Sequence, residues 1–358
     1  MSLIVLSLAT LFVTPSMPSS AAAKLSPLHT KGNQILDNRN KAVLLRGVNC
    51  ACLEWSSDGE GHILETVRVA VQDWHVNHIR LPLSEDRWFG KAPEQKDNGV
   101  SYRALVQKVV DWCGSHGCYV MLDMHWNDGD EWGKNIGQHQ MPDMNTLAFW
   151  KECAKVYKNN PAVWFDLYNE AHDITWDIWK NGGEVVETKG PGARQGAFKP
   201  ITYKTPGMQG LLDAIRNVGA RNLVIAGGLD WAYDLSGFLK GYQLTDSKGG
   251  QGVVYACHDY PIKGDTIEKY LTKLDAAMPS IPIIMSEFGA ENRGATANDP
   301  NPWVVRMLKE WDARKCNWTA WDLHPAAGPC LLQPGWSYRP SASFGVPVKE
   351  NLAKTNVK

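Results

Sequence analysis

Short apolar runs alternate along the chain with longer segments whose apolar residues return every third or fourth position. The runs predict strands, and the longer segments predict amphipathic helices. Eight strands follow: Leu44–Asn49, Val76–Leu83, Tyr119–Trp126, Val163–Glu170, Leu223–Gly227, Val253–Tyr260, Ile283–Phe288 and Thr319–Leu323. Helices are predicted over Tyr102–Cys113, Thr146–Tyr157, Met208–Val218, Ile267–Met278 and Trp303–Arg314. Such alternation builds a parallel sheet. Eight units in 358 residues fit a closed (β/α)8 TIM barrel, with a doubly wound open sheet as the alternative. Ahead of the first strand, Gln34–Leu36 and Ala42–Leu45 flank a turn-rich Asp37-Asn38-Arg39-Asn40 and predict a short N-terminal β-hairpin.

Two stretches show neither pattern, Asp173–Pro206 after strand four and Pro325–Pro347 after strand eight. A long loop in a compact domain is usually functional or mobile, so the first is expected to wall or gate a ligand rather than brace the barrel. At the start of the chain, apolar Leu3–Val13 precedes Ala21-Ala22-Ala23, though no Lys or Arg stands before the run. The pattern predicts a secretory signal peptide over residues 1–23, leaving 24–358 as one catalytic domain of a secreted protein. No stretch is long and apolar enough to span a membrane.

Composition narrows the function. Charged residues make up 21% and hydrophobic ones 44%, a globular balance, and the net charge is -1. A general nucleic-acid or membrane-surface binder would need a basic face. Neither G-x-G-x-x-G nor a Walker sequence follows a strand, and H-E-x-x-H is absent, so no nucleotide, other cofactor or metal is expected. Of the eight cysteines, Cys113 with Cys118 and Cys316 with Cys330 could close small loops. Cys50-Ala51-Cys52 lacks the second half of a zinc site. The acidic run Asn127-Asp128-Gly129-Asp130-Glu131 does not have EF-hand spacing and reads as a solvated loop.

The chemistry gathers at the strand ends. In a barrel of this kind the active site is built at the C-terminal ends of the strands. There the sequence places Arg80, Asp123 with His125, Asn169-Glu170, His258 with Tyr260, Ser286-Glu287 and Trp321-Asp322. Glu170 and Glu287 are carboxyls on strands four and seven. Glycoside cleavage needs two: a protonated one to assist the leaving oxygen and an ionised one to attack or guide water. Alone, each glutamate could equally be one half of an ion pair with Arg80. Asp166, deeper on strand four, reads as a buried structural acid. The 16 tryptophans supply candidate stacking faces, and Trp55, Trp88, Trp126, Trp132, Trp176 and Trp179 all follow strand ends.

As a set, Arg80, His125, Asn169-Glu170, His258, Tyr260, Glu287 and Trp321 resemble the signature of glycoside hydrolase family 5, the cellulase-type barrel enzymes. The hairpin leading into Leu45-Arg46-Gly47-Val48-Asn49 resembles that family's entry into its barrel, and the likeness runs from about Lys31 to the last helix. The resemblance implies retaining hydrolysis of a β-linked glycan, with Glu170 as acid/base and Glu287 as nucleophile. It further implies that Asn169 binds the sugar, that His125 and His258 support it, and that Trp321 offers a ring face. One position departs: Ala171-His172 stands where the family commonly has proline. The predicted protein is therefore a secreted monomer acting on β-glycan polysaccharide or oligosaccharide. Endo-β-1,4-glucanase is the first reading, with β-mannanase or another β-glycosidase as the alternative. A metal-dependent barrel hydrolase and a non-catalytic glycan-binding barrel are the rivals from other classes.

Overall fold

Parallel pairing runs around eight strands and closes on itself. The computed structural model describes residues 25–189, 199–294 and 297–356. The barrel strands are β1 (Arg46–Asn49), β2 (His78–Ser84), β3 (Tyr119–Trp126), β4 (Val163–Asp166), β5 (Val224–Gly227), β6 (Val253–Asp259), β7 (Ile283–Phe288) and β8 (Asn317–Ala320). Helices α1 (Ile63–Gln72), α2 (Glu85–Phe89), α3 (Val100–Ser115), α4 (Met144–Tyr157), α5 (Trp176–Asn181), α6 (Gly207–Asn217), α7 (Ile267–Ala277), α8 (Pro302–Arg314) and α9 (Gly345–Asn356) complete the set among the described residues. The predicted (β/α)8 barrel is thus the observed fold. Between β5 and β6 the crossover carries only a 3-10 turn, Ser236–Lys240, in place of an α-helix.

Strand alternation separates two cores. Val120, Leu122 and Met124 of β3 face outward into the layer between sheet and helices. Tyr119 and Met121 face inward with Trp164, Ile225, Val254, Ala256 and Ile284. Successive strand residues point to opposite sides, so the next inward positions of β3 are Asp123 and His125. The barrel interior is thus apolar at one end and polar at the other.

Several boundaries differ from the sequence reading. The N-terminal hairpin pairs His29–Lys31 with Gln34–Leu36, and the predicted second arm adds only an isolated Leu36–Ala42 bridge. Strand four ends at Asp166, and Asn169-Glu170 lie just beyond it. The stretch 173–206 is not a plain loop: it contains α5 and an antiparallel hairpin, Gly183–Glu187 with Ile201–Thr205. That hairpin braces its neighbour. Glu187 Oε2 lies 2.9 Å from His139 Nδ1, and the Tyr203 hydroxyl accepts from Met141 N at 3.0 Å. The expectation of a gate is therefore overturned for the described part, while residues 190–198 lie outside it. The acidic run after β3 is solvated only in its second half: Asn127 and Asp128 are fully buried, while Asp130 and Glu131 are exposed. All eight cysteines are free thiols, so neither suggested loop closure is formed. The predicted signal peptide lies outside the described residues.

Candidate active site

Arg80 lies on β2, fully buried, with the polar strand ends arranged around it. Its Nε donates to Asp166 Oδ2 at 2.9 Å, Nη1 to Glu287 Oε1 at 2.7 Å and to Asn49 Oδ1 at 3.2 Å, and Nη2 to Asn169 Oδ1 at 2.8 Å. Asp123 Oδ1 stands 2.9 Å from Nη2. Burial alone would lower the arginine's pKa, but Asp123, Asp166 and Glu287 together raise it, so the guanidinium stays charged. One positive group cannot neutralise three buried carboxyls. Burial accordingly pushes Asp123 and Asp166 up to about 7, even against the pull of Arg80. Asp166 is thus the paired structural acid the sequence suggested.

Glu287 is held at both oxygens, since the Tyr260 hydroxyl donates to Oε2 at 2.6 Å. A register shift between Cys257 and His258 in the β6–β7 pairing accompanies this placement. Such irregularities re-aim side chains near active sites. Glu170 faces it: one oxygen of each glutamate lies within 4.8 Å of the other, with His258 Nδ1 2.7 Å from Glu170 and 3.5 Å from Glu287. His258 Nδ1 is 2.7 Å from Glu170 Oε1, and its Nε2 is 3.0 Å from Ser286 Oγ. Burial raises the Glu170 pKa, against the partial opposition of His125 and His172. Burial also drives His125 and His258 down to about 3, so both imidazoles are neutral near pH 7. Neutral His125 donates from Nδ1 to Asp123 Oδ2 at 2.6 Å and stacks on Trp321 at 5.2 Å.

These side chains open into a cavity of about 840 Å³. Of the residues singled out from the sequence, His125, Asn169, Glu170, Tyr260, Glu287 and Trp321 line it, with Arg80 and His258 directly behind. The tryptophans divide. Trp88 and Trp179 are buried packing residues, which removes them as platforms. Trp176 packs on Trp179 and Phe238. Trp132 is exposed, while Trp55 and Trp126 adjoin each other with centroids 6.1 Å apart. Sequence reasoning missed Trp231, which lines the cavity with His172 stacked at 4.4 Å and Lys263 Nζ 4.0 Å from its ring. It also missed Gln138, whose Oε1 accepts from Asn169 Nδ2 at 2.9 Å. Trp231 follows strand five by four residues, so the rule that picked the other tryptophans should have included it, whereas Gln138 lies twelve residues past Trp126 and carried no such signal. The unusual His172 of the Ala171-His172 pair thus supports an aromatic wall.

Glu170, His258 and Glu287 are close enough to share a metal. The Arg80 guanidinium already on Glu287 opposes a second cation there, and Tyr260 occupies the other oxygen. The polar cluster is arranged for carboxyl chemistry.

The closed barrel and its family place the chain among the glycoside hydrolases. Within that class the chain belongs to the cellulase family, glycosyl hydrolase family 5, whose model matches residues 36–327. It is 24% identical to an endoglucanase of Paenibacillus polymyxa, covering 92% of this chain and 88% of that protein. It is also 24% identical to endoglucanase A of Butyrivibrio fibrisolvens over 81% of this chain, but spans only 59% of that protein's length. A β-glucanase of Saccharophagus degradans, solved with cellotetraose, shares the fold with a TM-score of 0.70 at 20% identity, covering 97% of this chain and 98% of that one.

Proposed function

We propose that the protein is an endo-β-1,4-glucanase that cleaves with retention of configuration, using Glu287 as nucleophile and Glu170 as acid/base. The observation that carries this reading is the Glu170–Glu287 pair, with carboxylate oxygens within 4.8 Å across an open cavity. Retaining enzymes hold their carboxyl groups about 5–5.5 Å apart, and inverting ones about 6.5–9.5 Å apart to admit a water. Arg80 and Tyr260 donate to Glu287 and hold its carboxyl in place for attack. Burial raises the Glu170 pKa and so favours the protonated form that serves the departing oxygen. In the first step Glu287 bonds to the anomeric carbon as Glu170 protonates the leaving sugar. In the second, Glu170 takes a proton from water, which attacks the same carbon and releases Glu287. Asn169, fixed by Arg80 and Gln138, would bond the 2-hydroxyl, a contact that strengthens in the transition state.

The choice of β-1,4-glucan rests on the relatives, several of which are named endoglucanases. The test is a screen on carboxymethylcellulose, mixed-linkage glucan, glucomannan, mannan and xylan, with product sizes and anomers followed by NMR. Rapid shortening of carboxymethylcellulose with β-anomers appearing first is expected. Mannan cleaved in preference to glucan, or α-anomers first, would overturn the respective part. Export is part of the proposal, because a polymeric substrate lies outside the cell and Leu3–Val13 with Ala21-Ala22-Ala23 forms an export signal. Protein recovered from culture medium should begin close after Ala23, and an intact Met1 there would contradict cleavage.

A further inference from the structure

Four carboxyls cluster outside the proposed catalytic centre. Glu85 and Asp86 open α2, Asp128 follows β3, and Asp143 is the N-cap of α4. All four are fully buried, at 0% exposure. One oxygen from each of Glu85, Asp128 and Asp143 lies within 4.8 Å of the other two. Oxygens bound to one calcium ion at about 2.3–2.6 Å stand no more than about 5 Å apart, so these three fit a single coordination sphere. The Asp86 carboxyl adjoins that of Asp128.

Protein donors satisfy only part of this cluster. Glu85 Oε2 accepts from Thr146 Oγ1 at 2.6 Å, Asp128 Oδ1 from Asn145 Nδ2 at 3.2 Å, and Asp86 Oδ1 from Gly133 N at 2.7 Å. Asp143 accepts from Thr146 N and Asp130 N, each at 2.8 Å. Left over are Glu85 Oε1, Asp86 Oδ2 and Asp128 Oδ2, buried atoms with no donor from outside the cluster, while the Asp86 and Asp128 carboxyls hydrogen-bond each other. Among the described residues no Lys or Arg forms an ion pair with any of the four. Arg87, the nearest in sequence, turns instead to Glu94 at 3.0 Å and to the Glu54 and Trp55 carbonyls. Buried carboxyls are normally paired with a cation or hydrogen-bonded throughout.

We propose that Glu85, Asp128 and Asp143, with Asp86 beside them, form a binding site for one calcium ion. The donors are all hard oxygens, with no histidine or thiol among them, which suits calcium over zinc or copper. Magnesium keeps several of its waters and demands near-ideal octahedral geometry, which a buried, irregular carboxyl cluster does not supply. The ion would tie the starts of α2 and α4 to the segment after β3. That segment carries Trp132, packed on Phe89 at 5.3 Å, and Gln138, which holds Asn169.

The test uses the full-length protein stripped with a chelator. Equilibrium dialysis against CaCl2 should find one ion bound per chain. Thermal unfolding should shift upward on the order of 4 °C when calcium exceeds its Kd about a hundredfold. Asp128→Asn and Glu85→Gln should abolish the calcium-dependent shift. Should a variant not fold, the wild-type stoichiometry and shift decide the matter alone. No bound calcium and an unchanged Tm at about 1 mM, the weak end of protein calcium sites, would overturn the proposal. So would an equal shift with magnesium, or a calcium response that survives in folded Asp128→Asn.

Discussion

His258 reaches Glu170 through Nδ1 at 2.7 Å. Burial holds the imidazole pKa near 3, so the ring is neutral and can donate its Nδ1 proton to Glu170 Oε1. That bond favours the ionised carboxylate, and removing it should raise the Glu170 pKa. His258→Leu should therefore move the basic limb of the kcat/KM profile upward by about one pH unit, the worth of one charge-assisted hydrogen bond. A limb that stays in place while kcat falls would mean that His258 only packs.

Glu287→Ala should abolish turnover of every substrate, since no covalent intermediate can form. Glu170→Ala should differ. A dinitrophenyl glycoside needs no acid, so it should load the enzyme and stall, with steady-state turnover reduced about 10²–10⁴-fold. Azide should relieve the stall and yield a β-glycosyl azide. An α-azide product, or no rescue at all, would count against the assigned roles.

Arg80→Met leaves Asp123, Asp166 and Glu287 facing one another without their shared cation. Breaking buried ion pairs from one side costs about 3–5 kcal/mol. Urea unfolding should show a loss of that order along with lost activity. A variant as stable as the wild type would show that the three carboxyls simply take up protons.

Trp231 stacks on His172 and faces the cavity. Trp231→Ala should raise KM for long glucans by roughly tenfold, about 1.4 kcal/mol and in the range of an aromatic contact. A small aryl glycoside that does not reach this wall should be affected much less. Equal effects on both substrates would remove Trp231 as a sugar platform.

Glu54 is fully buried, and burial raises its pKa from 4.5 to about 8. Between those values the folded state holds a proton that the unfolded chain has released. Stability should therefore fall as pH rises from about 4.5 to about 8, by up to about 1.4 kcal/mol per pH unit from this group. Glu54→Gln should flatten the slope measured by urea unfolding across that interval. An unchanged slope would assign the pH dependence to other groups, such as Asp123 and Asp166.

The barrel was legible because its strands and helices follow local periodicities. All eight predicted strands occur, although β4 and β8 are shifted at their ends. The polar strand ends were legible as well, because alternation carries Tyr119 and Met121 of the inner core forward to Asp123 and His125. What failed depends on contacts between distant segments. Nothing local in Asn127-Asp128 reveals that Tyr168 bonds Asn127 and that Asn145 of α4 bonds Asp128. Trp231 faces the cavity because His172 and Lys263 flank its ring, and neither lies near it in sequence. Trp88 and Trp179 follow strand ends too, but they lie in α2 and α5, where packing against α4 and the β5–β6 crossover hides them.

The groups bonded to the Arg80 guanidinium come from five places along the chain: Asn49 on β1, Asp123 on β3, Asp166 on β4, Asn169 just beyond β4, and Glu287 on β7. No fragment of the polypeptide carries more than part of that set. Competence for hydrolysis is therefore a property of the assembled barrel rather than of any one unit. During refolding, activity should return only once β1, β2, β3, β4 and β7 have gathered around one guanidinium, and would report that assembly directly.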